Sequence, residues 1–237
     1  MKKITGALRF FVVAIVSMTF ASIILFSLLF NKSGRLFHWF CRHWAGIVVR
    51  VCGTTVSVRG FEHVQAGKGY VYVSNHASMF DIPAVIAVIP DQIRLVYKKE
   101  LEKIPIFGWG LKYGSYIGID RGRGAEAQKS LDEAVKKIQN GESVLLFAEG
   151  TRTLDGRLQP FKRGAFHIAV RAGVPVVPLT INGSYAILPK HSISINPGTV
   201  ELILEKPIYL HGEEGKETEL QLMEEVHAAI EKHYVDQ

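Results

Sequence analysis

Seven short runs rich in β-branched and aromatic residues punctuate the chain from Thr54 onward: Thr54–Arg59, 70–74, 93–97, 116–119, Val144–Phe147, 176–181 and 200–204. Helical periodicity fills several of the gaps, most clearly over Ala125–Gln139, where Ala127, Leu131, Ala134, Val135 and Ile138 share one face, and over 219–234. Neighbouring parallel strands need a crossover of about a dozen residues or more. The alternation therefore predicts an α/β domain, a mostly parallel central sheet flanked by helices, with its chemistry at the carboxyl ends of strands. Internal repeats and low-complexity tracts are missing, and no second boundary follows Gly53, so 54–237 reads as one catalytic domain.

Residues 1–53 read as a membrane-associating two-helix segment. From Phe10 to Phe30 the chain is uncharged and built mainly from Phe, Val, Ile, Leu, Ala and Met, close to the ~20 residues that cross a bilayer core. A secretory leader competes, but its apolar core is ~7–15 residues, and 31–35 offers no small-residue cleavage site. Over 34–51 a helical wheel puts Leu36, Phe37, Phe40, Trp44, Ile47, Val48 and Val51 on one side. Arg35, His38, Arg42, His43 and Arg50 fall on the other, with Trp39 the exception. That pattern suits an interfacial helix, with Phe10, Phe30, Arg35, Trp39, Arg42 and Trp44 as membrane-binding residues. A helix packed on the protein's own core would show the same wheel. Lys2, Lys3 and Arg9 before the apolar run balance Lys32, Arg35 and Arg42 after it, so charge gives no orientation. Either a single span or a helical pair dipping into one leaflet fits, with the catalytic domain expected on the cytoplasmic face of the cytoplasmic membrane.

Lys and Arg total 28 against 22 Asp and Glu, a net charge of +6 that favours an anionic partner. The cations occur singly beside apolar or Gly-rich stretches, which points to a phospholipid surface and away from nucleic acid. Cys41 and Cys52 both lie in an apolar segment and demand no disulfide.

His76 and Asp81 follow the strand-like run 70–74. An imidazole can take a proton from a hydroxyl while a carboxylate on its other nitrogen fixes the tautomer. In a helix, five residues rotate side chains about 140° apart, so the pair meets only if His76 precedes a helix and Asp81 sits in its first turn. Ser78 with Asp81 three residues later resembles a capping box, and Pro83 suits an early helical position. Asp81 as a simple cap and His76 as a loop residue is the competing reading. After Val144–Phe147 come Glu149, Gly150, Thr151 and Arg152, where glycine permits close backbone approach and the guanidinium can take a phosphate bidentately. Lys162 and Arg163 open a helical run over 165–171, and Arg121 and Arg123 follow another strand; both pairs could serve the same anion or lie in solvated turns.

These blocks, in this order, resemble the glycerophospholipid acyltransferase family, specifically the 1-acylglycerol-3-phosphate acyltransferases. Asn75-His76 with Asp81 is similar to its His-x4-Asp motif, 116–121 to a second block ending in Arg, 147–152 to the Glu-Gly-Thr-Arg block, and 174–178 to a Pro-bounded apolar block. The resemblance implies His76 as general base, Asp81 as its orienting partner, and a substrate phosphate site of Glu149, Gly150, Thr151, Arg152, Arg121 and Lys162. It implies acyl transfer from acyl-CoA or acyl-carrier protein to the sn-2 hydroxyl of lysophosphatidate, with no cofactor and no metal, and with membrane lipid and the acyl donor as partners; a monomer is the expectation, although the sequence does not fix the oligomeric state. Gly118 stands where the family usually carries Phe, and Ala148 where Pro is common. Another lysophospholipid or glycerol 3-phosphate as acceptor, hydrolysis, or a noncatalytic anionic-lipid-binding protein are the alternatives.

Overall fold

The structure, a computed structural model, describes residues 2–30, 34–120, 122, 124–210 and 213–236. Seven strands, β1 Thr54–Arg59, β2 Val71–Ser74, β3 Arg94–Lys98, β4 Ile117–Ile119, β5 Val144–Phe147, β6 Val176–Asn182 and β7 Gly198–Leu204, form one sheet in the order β1-β7-β6-β2-β5-β3-β4. Every neighbouring pair is parallel except β6–β7. The helices are α1 Lys2–Ser27, α2 Gly34–Cys52, α3 Asp81–Val88, α4 Phe107–Tyr113, α5 Ala125–Gln139, α6 Arg163–Ala172, α7 Ser184–Ile187 and α8 Lys216–Glu231.

Strand β2 lies at the centre, and all four of its residues are buried. Alternate side chains serve opposite layers. Tyr72, Leu145 and Val177 join a core with Ala84 and Val85 of α3, while Val71, Val73, Val144, Leu146 and Val176 pack with Ala134 and Ile138 of α5, Phe166 of α6 and Val226 of α8. Helices on both faces explain why these strands read as unbroken apolar runs.

The second N-terminal helix differs from expectation. Phe37, Cys41, Ala45, Val48 and Cys52 of α2 are buried in the same core as α3, so the side that meets protein is turned from the apolar side of the wheel, of which only Phe37 and Val48 are buried while Leu36, Phe40, Trp44, Ile47 and Val51 stay half-buried. His38, assigned to the cationic face, is buried as well. The wheel identifies an apolar side but cannot say what covers it; small Cys41 and Ala45 let the helix approach closely, and burying Phe37 or Val48 contributes about 1.5–3 kcal/mol each. Arg42 donates to Ile89 O at 3.3 Å, and Trp44 Nε1 donates to Ser17 Oγ of α1 at 3.0 Å. Trp39 and Arg35 stay exposed. Helix α1 is docked along its length: Ile195 N–H donates to Gly6 O at 3.2 Å, and Ile24 is buried in the core. Its outer face, with Phe11, Ile15, Phe26 and Phe30 just beyond, remains exposed; Phe10 packs inward against the core.

Candidate active site

Strands β2 and β5 are parallel neighbours with Ser74 opposite Phe147, so the segments leaving them emerge side by side. Asn75 ties the first segment to β6, donating from Nδ2 to Ile181 O at 2.9 Å and accepting Ile181 N–H at 2.8 Å. His76 Nδ1 then lies 2.7 Å from Asp81 Oδ2. Asp81 opens α3, is fully buried, and the same oxygen accepts the N–H groups of Ala77 at 2.9 Å and Ser78 at 3.0 Å. The Asp81–Ser78 bond has capping-box spacing, but Phe80 is the residue that precedes α3, so the expected box does not form; the Ser78 hydroxyl instead accepts Phe80 N–H and donates to Leu188 O. With Nδ1–H directed at the carboxylate, Nε2 is the basic nitrogen. The imidazole stacks on Phe147, ring centroids 3.8 Å apart and 12° from coplanar, and is 15% exposed. The base is thus oriented by packing on one side and by a buried anion on the other.

Glu149 sits elsewhere than its sequence grouping with the phosphate ligands suggests. It is 3% exposed, and its Oε1 accepts the His76 backbone N–H at 2.7 Å. Burial pushes its carboxyl up from 4.5 to about 7, and the Asp81 charge adds to this, while the N–H groups of His76 and Gln159 pull it back. His76 O in turn accepts Thr153 N–H at 2.9 Å, so both main-chain groups of the base are gripped by the 149–153 loop. No signal in the sequence pairs residues 73 apart; only the adjacency of β2 and β5 does so.

Gly150 occupies the left-handed region at φ 72°, and a Cβ there would come within 2.9 Å of the Lys162 side chain. That contact places Lys162 over the glycine turn, and Lys162 N–H donates to Ala148 O at 2.7 Å. Lys190, which the sequence reading missed, donates from Nζ to Thr151 Oγ1 at 3.2 Å and Arg152 O at 3.1 Å. Arg152 makes no ion pair among the described residues, so its guanidinium is available to an anion. The structure therefore gathers Gly150, Thr151, Arg152, Lys162 and Lys190 beside the His76–Asp81 pair. Arg121 and Arg123 lie outside the described residues; they follow β4, which β3 separates from β5. Among the described residues no group of three or more His, Cys, Asp or Glu side chains could hold a metal ion.

Residues 55–182 match the family model described as Acyltransferase. A chloroplastic 1-acyl-sn-glycerol-3-phosphate acyltransferase of Brassica napus is 37% identical over 187 residues, 78% of this chain and 54% of that protein. One from Arabidopsis thaliana, also chloroplastic, is 35% identical over 87% of this chain and 61% of its own length. The chain thus spans little more than half the length of these curated relatives. The crystal structure of the 1-acyl-sn-glycerophosphate acyltransferase from Thermotoga maritima superposes with a TM-score of 0.80 at 26% identity, covering 99% of this chain and 97% of that one. The family match takes in His76, Asp81 and the 149–152 turn alike, and the chain belongs to the acyltransferase family.

Proposed function

We propose that the protein transfers a fatty acyl group from a thioester, acyl-CoA or acyl-carrier protein, to the sn-2 hydroxyl of lysophosphatidate, giving phosphatidate for phospholipid biosynthesis. The observation that carries this reading is the 2.7 Å contact between His76 Nδ1 and the buried Asp81 carboxylate, beside a turn rich in cations. His76 Nε2 removes the hydroxyl proton as the oxygen attacks the thioester carbonyl carbon. The tetrahedral intermediate collapses, the C–S bond breaks, and the imidazolium returns the proton to the departing sulfur. Positioned base catalysis of this kind contributes roughly 10²–10⁴-fold, and Asp81 stabilises the imidazolium. Arg152 and Lys162 neutralise the acceptor phosphate, with Lys190 steadying their turn; Arg121 joins them on the strength of its sequence block. Glu149 holds the His76 main chain in place.

A lipid acceptor and a water-soluble donor meet at a membrane surface. Residues Ile4–Ser27 are long and apolar enough to cross a bilayer, with mean hydropathy 2.4 over the most apolar stretch. Docking of α1 along the domain, from Gly6 to Ile24, favours a helical pair embedded in one leaflet over a free span. We place the enzyme at the cytoplasmic membrane with the catalytic domain on the cytoplasmic face, where acyl donors are dissolved, and residues 1–53 as its anchor.

The test is thiol release from a thioester panel by the detergent-solubilised protein, with and without lysophosphatidate. Release that requires the acceptor and yields phosphatidate supports the proposal. Release indifferent to it means hydrolysis, and no release from any donor rules the proposal out.

A further inference from the structure

Helix α4 is entered through a γ-turn. Ile106 has φ 64° and ψ −63°, and Phe107 N–H donates to Pro105 O at 2.7 Å. A β-branched residue in this region is strained, and it persists because its surroundings fix it: Gly108, Gly110 and Leu111 of α4 pack inward. What the corner turns outward is apolar. Leu101 and Ile104 are exposed, as are Trp109 at 48% and Tyr113 at 63%. Trp109 and Tyr113, four residues apart in α4, lie along one side of it.

This face does not stand alone. A Cβ on Gly110 would lie 3.9 Å from Ala21 Cβ, so α4 backs onto α1 inside its uncharged 10–30 run, where Met18, Ile23 and Phe26 are exposed. Lys103 and Lys112 flank the aromatic residues, and Lys112 Nζ lies 5.5 Å from the Tyr113 ring centroid. Of the carboxylates around them, Glu100 pairs with Lys98 at 3.1 Å and Glu102 accepts the Tyr97 hydroxyl at 3.1 Å, while Glu102, Glu126 and Glu133 line a pocket with Lys112 on the side of α4 toward β4. Tryptophan and tyrosine with lysine beside them, continuous with an apolar helix, match the chemistry of a bilayer's headgroup boundary.

We propose that residues 101–113 form a second membrane-contacting element, an aromatic lip that enters the interface of an anionic bilayer beside α1 and fixes the tilt of the catalytic domain. The proposal rests on the membrane-anchored reading of α1.

Replacing Trp39 and Trp44 by Phe leaves Trp109 as the sole tryptophan. The protein is reconstituted in phosphatidylcholine–phosphatidylglycerol vesicles, with and without acyl-chain bromination, and floated on a density gradient. The expected result is co-flotation with a blue-shifted Trp109 emission that loses most of its intensity only in brominated lipid. Co-flotation with emission quenched by aqueous acrylamide and indifferent to bromine overturns the lip while leaving the anchor standing. Shielding from both quenchers points to a protein partner or a second copy and likewise overturns it. Failure to float removes both the anchor and the lip. Should the double replacement not fold, the difference between wild-type and Trp109→Phe spectra reads the same quantity.

Discussion

Glu149→Gln separates holding the base from binding the acceptor. The carboxyl titrates near about 7 against an ordinary 4.5, and at about 1.4 kcal/mol per pH unit the ionised form costs about 3 kcal/mol. The sign follows from proton binding. Between pH 4.5 and 7 the folded protein keeps a proton that the unfolded chain has lost, so stability falls as pH rises through that window. Glutamine cannot ionise, yet its amide carbonyl still accepts the His76 N–H. The variant should match wild type near pH 4.5 and exceed it by about 3 kcal/mol at pH 8, read from denaturant unfolding in detergent at a series of pH values. Kinetics give a second readout. Glu149→Gln keeps the KM for lysophosphatidate, whereas Glu149→Ala, assayed at pH 8 where the carboxyl is ionised, removes a hydrogen bond to a charged group, about 1.5–3 kcal/mol, and lowers kcat by about ten- to a hundredfold. Parallel pH curves for the two proteins, or a raised KM with unchanged kcat in the glutamine variant, would refute the reasoning.

Asp81→Ala removes the shared acceptor of three donors, leaves the Ala77 and Ser78 N–H groups unpaired in the interior, and should cost about 2–6 kcal/mol in chemical unfolding along with most of the activity. Asp81→Asn, with its carbonyl at the Oδ2 position, should retain the fold and lose rate, which circular dichroism and kcat together report. Arg152→Ala should raise the KM for lysophosphatidate about ten- to a hundredfold through loss of a charge-assisted phosphate contact, with the KM for the thioester unchanged in steady-state titration. Ala45→Leu forces bulk into the contact of α2 with the core, where Ala45 is fully buried, and should cost about 1–3 kcal/mol; no loss in thermal unfolding would mean that α2 does not pack there.

Runs rich in β-branched and aromatic residues were enough to locate all seven strands because each is short, and the central ones, buried under helices on both faces, stay apolar along their length. The antiparallel β6–β7 pair was not legible, since nothing in residues 183–197 states which way the chain returns. His76 and Asp81 could be paired from sequence because five residues of local geometry decide their meeting. The partners of Glu149 and Lys190 could not: those contacts span 73 and 38–39 residues and exist only once the strand order brings three loops together. A charged residue beside an arginine looks like part of an anion site, whereas burial makes Glu149 a support for the base. In α2 the wheel matched the buried side only in part: of its seven apolar residues Phe37 and Val48 are buried, and the side that meets the core is completed by Cys41, Ala45 and Cys52 and by His38, whose contacts no periodicity of apolar residues reveals.

The most direct measurement is the kcat of His76→Ala with a saturating thioester and lysophosphatidate, alongside wild type under the same detergent conditions. The account predicts a loss of about 10²–10⁴-fold with the fold and lysophosphatidate binding retained. Near wild-type turnover to phosphatidate would contradict His76 as the base.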